Sequence, residues 1–189
     1  MTDNRSLILD CAIELFALRG YDAVGVQEVA DAAGLKKPTL YHYFGSKSGL
    51  LTTLLDEKFS PLFVDLEEAA TSQADVFGSL TAIATVYFEF AQKHPRLYRL
   101  NLSMWFSPPE SDAFKAVATL NHRQQAILEA FFLRAAEMHG NMKGRHQAYA
   151  ATFLGMLNTY IALGLNNYAS LDSELTRKAV HQFVHGIFS

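Results

Sequence analysis

Hydrophobic residues recur at intervals of three and four positions along most of the chain, and strict alternation of apolar and polar residues is absent. Such spacing places the apolar side chains on one face of an α-helix. Glycines and prolines fall between the periodic segments, where they end one helix or begin the next. We therefore predict an all-α fold of about nine helices. The first helix shows the pattern, with an apolar stripe made of Leu7, Ile8, Cys11, Ala12, Leu15 and Phe16.

The predicted helices divide the chain into a small N-terminal helix-turn-helix head, residues 1–46, and a larger helical body for ligand sensing and dimerisation, residues 47–189. Pro61 lies within the fourth predicted helix and should kink or restart it near residues 59–60, because proline lacks the N–H that the helix ladder needs. The helices are predicted at approximately residues 4–18, 26–33, 37–44, 47–70, 76–93, 95–105, 112–139, 147–168 and 172–187.

Helices two and three of the head are predicted to form a helix-turn-helix. Only a few residues around Gly34 separate them, and glycine tolerates the positive φ that the turn needs. In such a pair the second helix enters the major groove of DNA, with its N-terminal residues at base edges. The residues expected to pack these helices against each other and against helix one are Val26, Val29, Leu35, Leu40 and Tyr43.

The distribution of charge supports a local DNA-binding site. The formal net charge is −3 over 189 residues, which argues against a protein that coats nucleic acid indiscriminately. Between Asp31 and Asp56, however, the only formal charges are Lys36, Lys37 and Lys47. The segment KKPTLYHYFGSK thus combines positive charge with phenol hydroxyl groups, which suit phosphate oxygens. The alternative is a solvated basic turn whose tyrosines pack in a core.

The segment ILDCAIELFALRGYDAVGVQEVADAAGLKKPTLYHYFGSKSGLL, residues 8–51, resembles the tetracycline-repressor (TetR) family of bacterial transcription regulators. The matching elements are F-x-x-x-G-Y at the end of helix one, then V-x-x-V-A-x-A-A-G, T-L-Y-x-Y-F and S-K-x-x-L-L. The resemblance implies a DNA-binding head, with Leu40 and Phe44 in its core, joined to a helical regulatory domain. Two positions depart from the family pattern, since Gly25 and Lys36 stand where a hydroxyl residue usually caps the following helix.

The resemblance also implies a role for each residue of the head that meets DNA. The three residues 37–39 would read bases, His42 would lie at the groove edge, and Tyr41, Tyr43 and Lys47 would hold phosphates. Near the start of helix two, Gln27 would reach a phosphate. The predicted DNA-binding residues are Gln27, Lys36, Lys37, Pro38, Thr39, Tyr41, His42, Tyr43 and Lys47.

Helix-turn-helix proteins usually bind DNA as two-fold dimers, so some surface of the body should pair two copies of the chain. The last two helices carry wide apolar stripes, and small residues such as Gly155 permit close approach. The alternative is that the same stripes form intramolecular core. The predicted interface residues are Phe153, Leu157, Tyr160, Ile161, Val180, Phe183, Val184 and Ile187.

The middle of the body is rich in large apolar residues with a few polar neighbours, which is the composition of a small-molecule site. For most of these residues packing is the simpler explanation. We predict an apolar or aromatic effector. The candidate ligand-binding residues are Phe88, Tyr98, Asn101, Leu102, Trp105, Phe106, Asn121, Phe131 and Asn158.

Together these patterns favour a cytoplasmic, ligand-responsive regulator, in which a small molecule releases a repressor from a palindromic operator in double-stranded DNA. The rivals are an all-α enzyme and a helical protein-interaction module. No catalytic or phosphate-loop motif favours an enzyme. His181 and His185 have the spacing of metal ligands, but no carboxylate or cysteine joins them, so we expect neither metal nor cofactor. We expect no membrane partner either, because no apolar run approaches the ~20 residues that span a bilayer.

Overall fold

The computed structural model describes residues 3–71, 75–138 and 142–186. Within these ranges the secondary structure is helical, and strands are absent, as the sequence predicts. The helices are α1 (Asn4–Arg19), α2 (Val26–Ala32), α3 (Lys37–Phe44), α4 (Lys47–Ala69), α5 (Val76–Lys93), α6 (Pro95–Met104), α7 (Asp112–Met138), α8 (His146–Leu165) and α9 (Ser173–His185).

One predicted helix limit is wrong, and one predicted restart does not occur. Helix α4 runs through Pro61 as one continuous helix, so it does not restart there, and the kink at this position stays a prediction. Helix α8 ends at Leu165 rather than at Tyr168. Its end is set by Asn167, which has a φ of 60° and whose N–H donates to the carbonyl of Gly164 at 3.0 Å. Asparagine tolerates this left-handed conformation and so closes the helix.

The chain forms two compact units. The first contains residues 1–59 and 95–120, and the second contains residues 60–94 and 121–189. These units are defined by contacts within the chain, whereas the division predicted at residue 46 concerns function. That functional division remains a prediction.

The first unit is built around α1. Its buried side chains include Ile8, Leu9 and Phe16, and α1 packs against α2, α3 and α6. The ring of Phe16 meets that of Tyr21 edge to face, with centroids 5.2 Å apart. Aromatic pairs in this geometry add to the free energy of simple burial. The helix-turn-helix is therefore held on a core to which α6 also belongs.

The second unit is centred on α5, which packs against α8 and α9. An aromatic cluster joins α7, α8 and α9 through Phe132, Phe153 and Phe183, whose ring centroids lie 4.9 to 6.3 Å apart. Tyr149 extends the cluster at 5.7 Å from Phe132. These contacts fix α9 against the rest of the unit.

Candidate DNA-binding interface

The turn between α2 and α3 is a Schellman motif. The N–H of Leu35 donates to the carbonyl of Ala30 at 2.9 Å, and the N–H of Gly34 donates to the carbonyl of Asp31 at 3.0 Å. Gly34 has a φ of 66°, which is the left-handed conformation that this motif requires. The chain can therefore turn within four residues and start α3 at once, as the helix-turn-helix prediction expects.

The C-terminal end of α3 lies directly against the first turn of α4. Ser46 caps α4, since its Oγ accepts a hydrogen bond from the N–H of Gly49 at 2.9 Å. A Cβ atom at Gly49 would lie 2.1 Å from the carbonyl oxygen of Phe44, the last residue of α3. Any side chain here would push the two helices apart. Glycine in the first turn of α4 therefore allows the end of α3 to sit directly against it.

Helix α3 has a buried side and an exposed side. Leu40 and Phe44 are buried, as predicted, and the guanidinium of Arg5 lies 5.6 Å from the centroid of the Phe44 ring. On the other side Tyr41 and Tyr43 are 41% and 38% exposed, so their phenol groups are accessible to a ligand. The structure thus separates the packing residues of this segment from those available to DNA. The side chains of Lys36, Lys37, Pro38 and His42 are exposed as well, and Thr39 is half-buried.

The exposed residues of α3 make only weak contacts within the chain. The ammonium of Lys37 lies 5.6 Å from the centroid of the Tyr41 ring, one helical turn away. The rings of His42 and Tyr43 meet edge to face at 5.6 Å. Neither contact neutralises the charge of Lys37, so this face can accept an anion such as a phosphate.

The two departures from the family pattern are both helix N-caps. Lys36 is the N-cap of α3 and makes no side-chain capping bond. Gly25 is the N-cap of α2, but its N–H donates to Oε1 of Glu28 at 2.8 Å. This bond, together with the ion pair between Glu28 and Arg19, holds the pKa of the Glu28 carboxyl below its usual range. The G-x-x-E spacing is visible in the sequence, yet we did not predict this cap.

Among the residues predicted to contact phosphates, Lys47 and Gln27 make polar contacts within the chain. Lys47 is half-buried, and its ammonium lies 4.1 Å from the centroid of the Tyr21 ring and 3.5 Å from the carbonyl oxygen of Asp22. The amide of Gln27 donates to Asp31 Oδ1 at 2.7 Å. That carboxylate is exposed beside Gln27 and would repel a phosphate there. Of the two, Lys47 is the better placed to bind one.

Comparison with known proteins agrees with this geometry. The sequence model described as "Bacterial regulatory proteins, tetR family" matches residues 8–54, which contain α2, the turn and α3. Residues 8–54 are a DNA-binding domain of the TetR family of transcription regulators. These residues therefore form a DNA-binding head, and the chain is a DNA-binding regulator of transcription.

Relatives and solved structures extend the likeness beyond the head. The chain is 28% identical over 185 residues to the transcriptional activator FasR of Mycolicibacterium smegmatis, covering 97% of this chain and 82% of FasR. It is 38% identical over 86 residues to the repressor KstR2 of Rhodococcus jostii, covering 46% of this chain and 42% of KstR2. The fold matches that of FadR from Bacillus subtilis, crystallised with stearoyl-CoA, with a TM-score of 0.82 at 20% identity, covering 96% of this chain and 98% of FadR.

Several residues that we predicted for a dimer interface belong instead to the core of the protomer. The side chains of Phe153, Leu157, Ile161 and Val180 have no exposed surface, because their own chain covers them. They cannot also provide a surface for a second copy. Their neighbours remain available, since Tyr160 and Phe183 are half-buried and Val184 is exposed. Ile187 lies outside the described residues.

The small residues of α8 divide in the same way. A Cβ atom at Gly164 would lie 2.6 Å from Cγ of Leu171, so the close approach at Gly164 occurs within the protomer. At Gly155 an added Cβ meets no atom of the described chain within 4 Å, and Ala151 is exposed on the same side. Ala151 and Gly155 therefore leave room for a helix from another molecule, whereas Gly164 does not.

The predicted ligand-binding residues are distributed over both units, and their role remains a prediction. Phe88, Tyr98, Asn101, Asn121 and Phe131 are buried, Leu102 and Asn158 are half-buried, and Trp105 and Phe106 are exposed.

One buried polar residue of this region was missed. Gln124 lies three residues after Asn121 and shares its buried helix face. The i, i+3 spacing was the signal that would have found it.

Proposed function

We propose that this TetR-family regulator binds a palindromic operator as a homodimer through α3, and that a largely apolar small molecule releases it. The observation that supports this most strongly is the exposed face of α3 and the start of α4. There Lys36, Lys37 and Lys47 stand with two accessible tyrosines, and no acidic residue occurs between Asp31 and Asp56. Phosphate contacts would position the helix, and the residues 37–39 at its N-terminus would read bases.

Dimerisation is supported by the exposed side of α8. Its most apolar stretch of 18 residues has a mean hydropathy of 1.3, yet only 28% of that stretch is buried within the chain. By length and composition alone, α8 is apolar enough to cross a membrane, which we did not expect from the sequence. Core helices of soluble proteins can be equally long and apolar. A second copy of α8 packed along Ala151 and Gly155 would cover this surface.

A cavity of about 700 Å³ in the second unit adjoins the same helix. Ala148, Thr152, Met156 and Tyr160 line it at intervals of four, which is one stripe along α8. Val184 of α9, 44% exposed, lies at the same cavity. Because the stripe adjoins the Ala151–Gly155 surface, we assign this opening to the dimer interface rather than to the effector.

The signal from the effector would reach the head through α6. This helix packs against α1 in the first unit, and an ion pair joins Arg96 to Glu14. Asn101 of α6 is buried, and its Oδ1 has no hydrogen-bond partner among the described residues. A ligand that moved α6 would therefore move α1, against which the recognition helix, α3, packs. A coupling of about 1–3 kcal/mol is enough for a several-fold to ~150-fold loss of operator affinity.

The relatives differ in the direction of control, since FasR is named an activator and KstR2 a repressor. We propose repression, relieved by the effector. We also propose that the protein acts in the cytoplasm, without a catalytic activity of its own. An enzyme or a protein-interaction module of the same fold would not select a DNA sequence.

The test is selection of genomic DNA fragments by the purified protein, followed by electrophoretic mobility shifts in varied salt. We expect enrichment of fragments that share one palindrome, bound with an affinity that falls by about 0.9 log unit per log unit of salt for each phosphate contact. Enrichment of no common sequence would contradict the proposed function and favour the alternatives.

A further inference from the structure

Two side-chain amides lie on the buried face of α7 in the second unit. Asn121 is 7% exposed and Gln124 is 1% exposed. Nε2 of Gln124 donates a hydrogen bond to Oδ1 of Asn121 at 3.1 Å. Among the described residues, Nδ2 of Asn121 and Oε1 of Gln124 have no hydrogen-bond partner. The pair therefore retains an NH₂ group and a carbonyl oxygen without a partner, both out of contact with solvent.

This surplus does not depend on how the amides are oriented. If both were rotated by 180°, Asn121 would donate to Gln124, and one carbonyl oxygen and one NH₂ group would still be unused. A buried polar group without a partner costs free energy, so these atoms call for a complementary group. That group must accept one hydrogen bond and donate another.

The surroundings favour an uncharged partner. The buried polar side chains of the described chain are Ser79, Asn101, Asn121, Gln124 and Thr176, and none of them is charged.

Arg123 lies next to the pair in sequence but is directed elsewhere. Its guanidinium is 4.0 Å from the centroid of the Phe63 ring and 3.9 Å from Oε1 of Glu67, and about half of the side chain is exposed. A carboxylate beside the pair would thus be desolvated without a counter-charge, and it would offer acceptors only.

We propose that Asn121 and Gln124 form the polar recognition point of the effector site. The effector is then an apolar molecule whose buried head group is uncharged and carries both a donor and an acceptor, as a primary amide or a hydroxyl does. This inference rests on the proposed function, because it assigns the chemistry of the effector. A water molecule offers the same two hydrogen bonds, and the test must separate the two occupants.

The experiment compares two matched pairs of probes by calorimetric titration in the absence of DNA: decanamide with decanoate, and 4-phenylbutanamide with 4-phenylbutanoate. At least one amide is expected to bind about tenfold more tightly than its own carboxylate, because the carboxylate leaves the unused acceptor unpaired. Comparison within a pair cancels the contribution of the apolar skeleton.

The double variant Asn121→Leu with Gln124→Met removes both amides at similar volume. It is expected to lose the preference for the amide while its free form keeps or gains thermal stability, because the unpaired groups are gone. The matched control is Gln125→Met, whose amide is half-buried but already donates to Glu129 Oε1 at 2.9 Å. This control should keep the preference.

Three results would overturn the inference: neither amide binds, a carboxylate binds as tightly as its amide, or the double variant keeps the preference. The last would mean that water alone bridges the pair. These titrations contain no DNA, so they fail or succeed independently of operator selection. A protein that selects an operator but shows no amide preference retains the proposed function and loses only this assignment.

Discussion

The ammonium group of Lys47 lies 4.1 Å from the centroid of the Tyr21 ring, within the unit that carries the recognition helix. Lys47 is the first residue of α4, where the helix dipole already makes the helix end electropositive. Burial lowers the pKa of Lys47, which means that the cation is poorly solvated in the free protein. An anion at this point would be stabilised by the ammonium and the helix end together, which is why we assign a DNA phosphate to it.

Replacing Lys47 with Gln should therefore weaken binding to all DNA sequences alike. We expect the slope of log affinity against log salt to become less steep by about 0.9 for each lost phosphate contact. Lys115→Gln is the matched control, because that lysine is exposed in the same unit and pairs with Glu110 at 3.3 Å. An unchanged slope in Lys47→Gln would remove this residue from the interface.

Tyr21 should make the first unit sensitive to alkali. Burial, then the charges of Asp112 and Asp22, raise the pKa of Tyr21 to about 12 from its ordinary value of 10.0. Because the unfolded chain loses this proton first, stability falls as the pH rises from about 10 to about 12. Relative to Tyr21→Phe, the wild type should lose about 1 kcal/mol between pH 9 and pH 11. Urea unfolding at the two pH values measures the difference, and equal losses in both proteins would show that Tyr21 ionises normally.

Replacing Lys36 should change the stability of the protein and its affinity for DNA in opposite directions. It occupies the N-cap of α3 without a capping bond, as the sequence predicts for this position. Lys36→Ser should stabilise the free protein by about 0.5–1 kcal/mol, because a serine hydroxyl caps the helix. The same change should lower DNA affinity, because a cation next to the phosphates is lost. Thermal unfolding and mobility shifts on the same samples test this, and changes of the same sign would contradict the assignment.

The sequence predicts local features of this fold well and tertiary ones poorly. Apolar spacing and turn residues locate the helices closely, and the cap position of Lys36 follows from the recognised motif. The packing of α6 on α1 was not predictable, since each helix shows only its own apolar stripe. For the same reason, periodicity does not tell whether the stripe of α8 is covered by its own chain or by another. Phe153 is covered by its own chain, whereas the surface at Gly155 is left open by the described residues.

The candidate site shows the same limit. Asn121 is recognisable as a polar residue among apolar ones, but its hydrogen bond to Gln124 and the atoms left unpaired depend on side-chain geometry. Similarly, the missing N–H of Pro61 permits either a kink or a restart of α4, and the helix continues through it without a restart. Stabilisation from packing outweighs the local preference of a single residue.

The dimer proposal predicts that a large side chain at Gly155 separates the protomers without unfolding them. In the described chain an added Cβ here meets nothing within 4 Å, so Gly155→Arg should fold normally. It should run as a monomer in analytical ultracentrifugation and bind the operator much more weakly. Ala126→Arg, on an exposed position of α7, is the control and should behave as the wild type does. A Gly155→Arg protein that matches the wild type in sedimentation and operator affinity would exclude this face.

The central claim is that α3 reads a DNA sequence, and Thr39 offers the most direct test. We assign its methyl and hydroxyl groups to a base edge, and it carries no charge that would attract DNA in general. Affinities of the wild type and Thr39→Ala should be measured for the selected palindrome and for a scrambled duplex of the same length and salt. We predict that Thr39→Ala lowers affinity for the palindrome by about fivefold or more, equivalent to about 1 kcal/mol, and leaves the scrambled duplex unaffected. A variant that keeps the full preference for the palindrome would contradict the account.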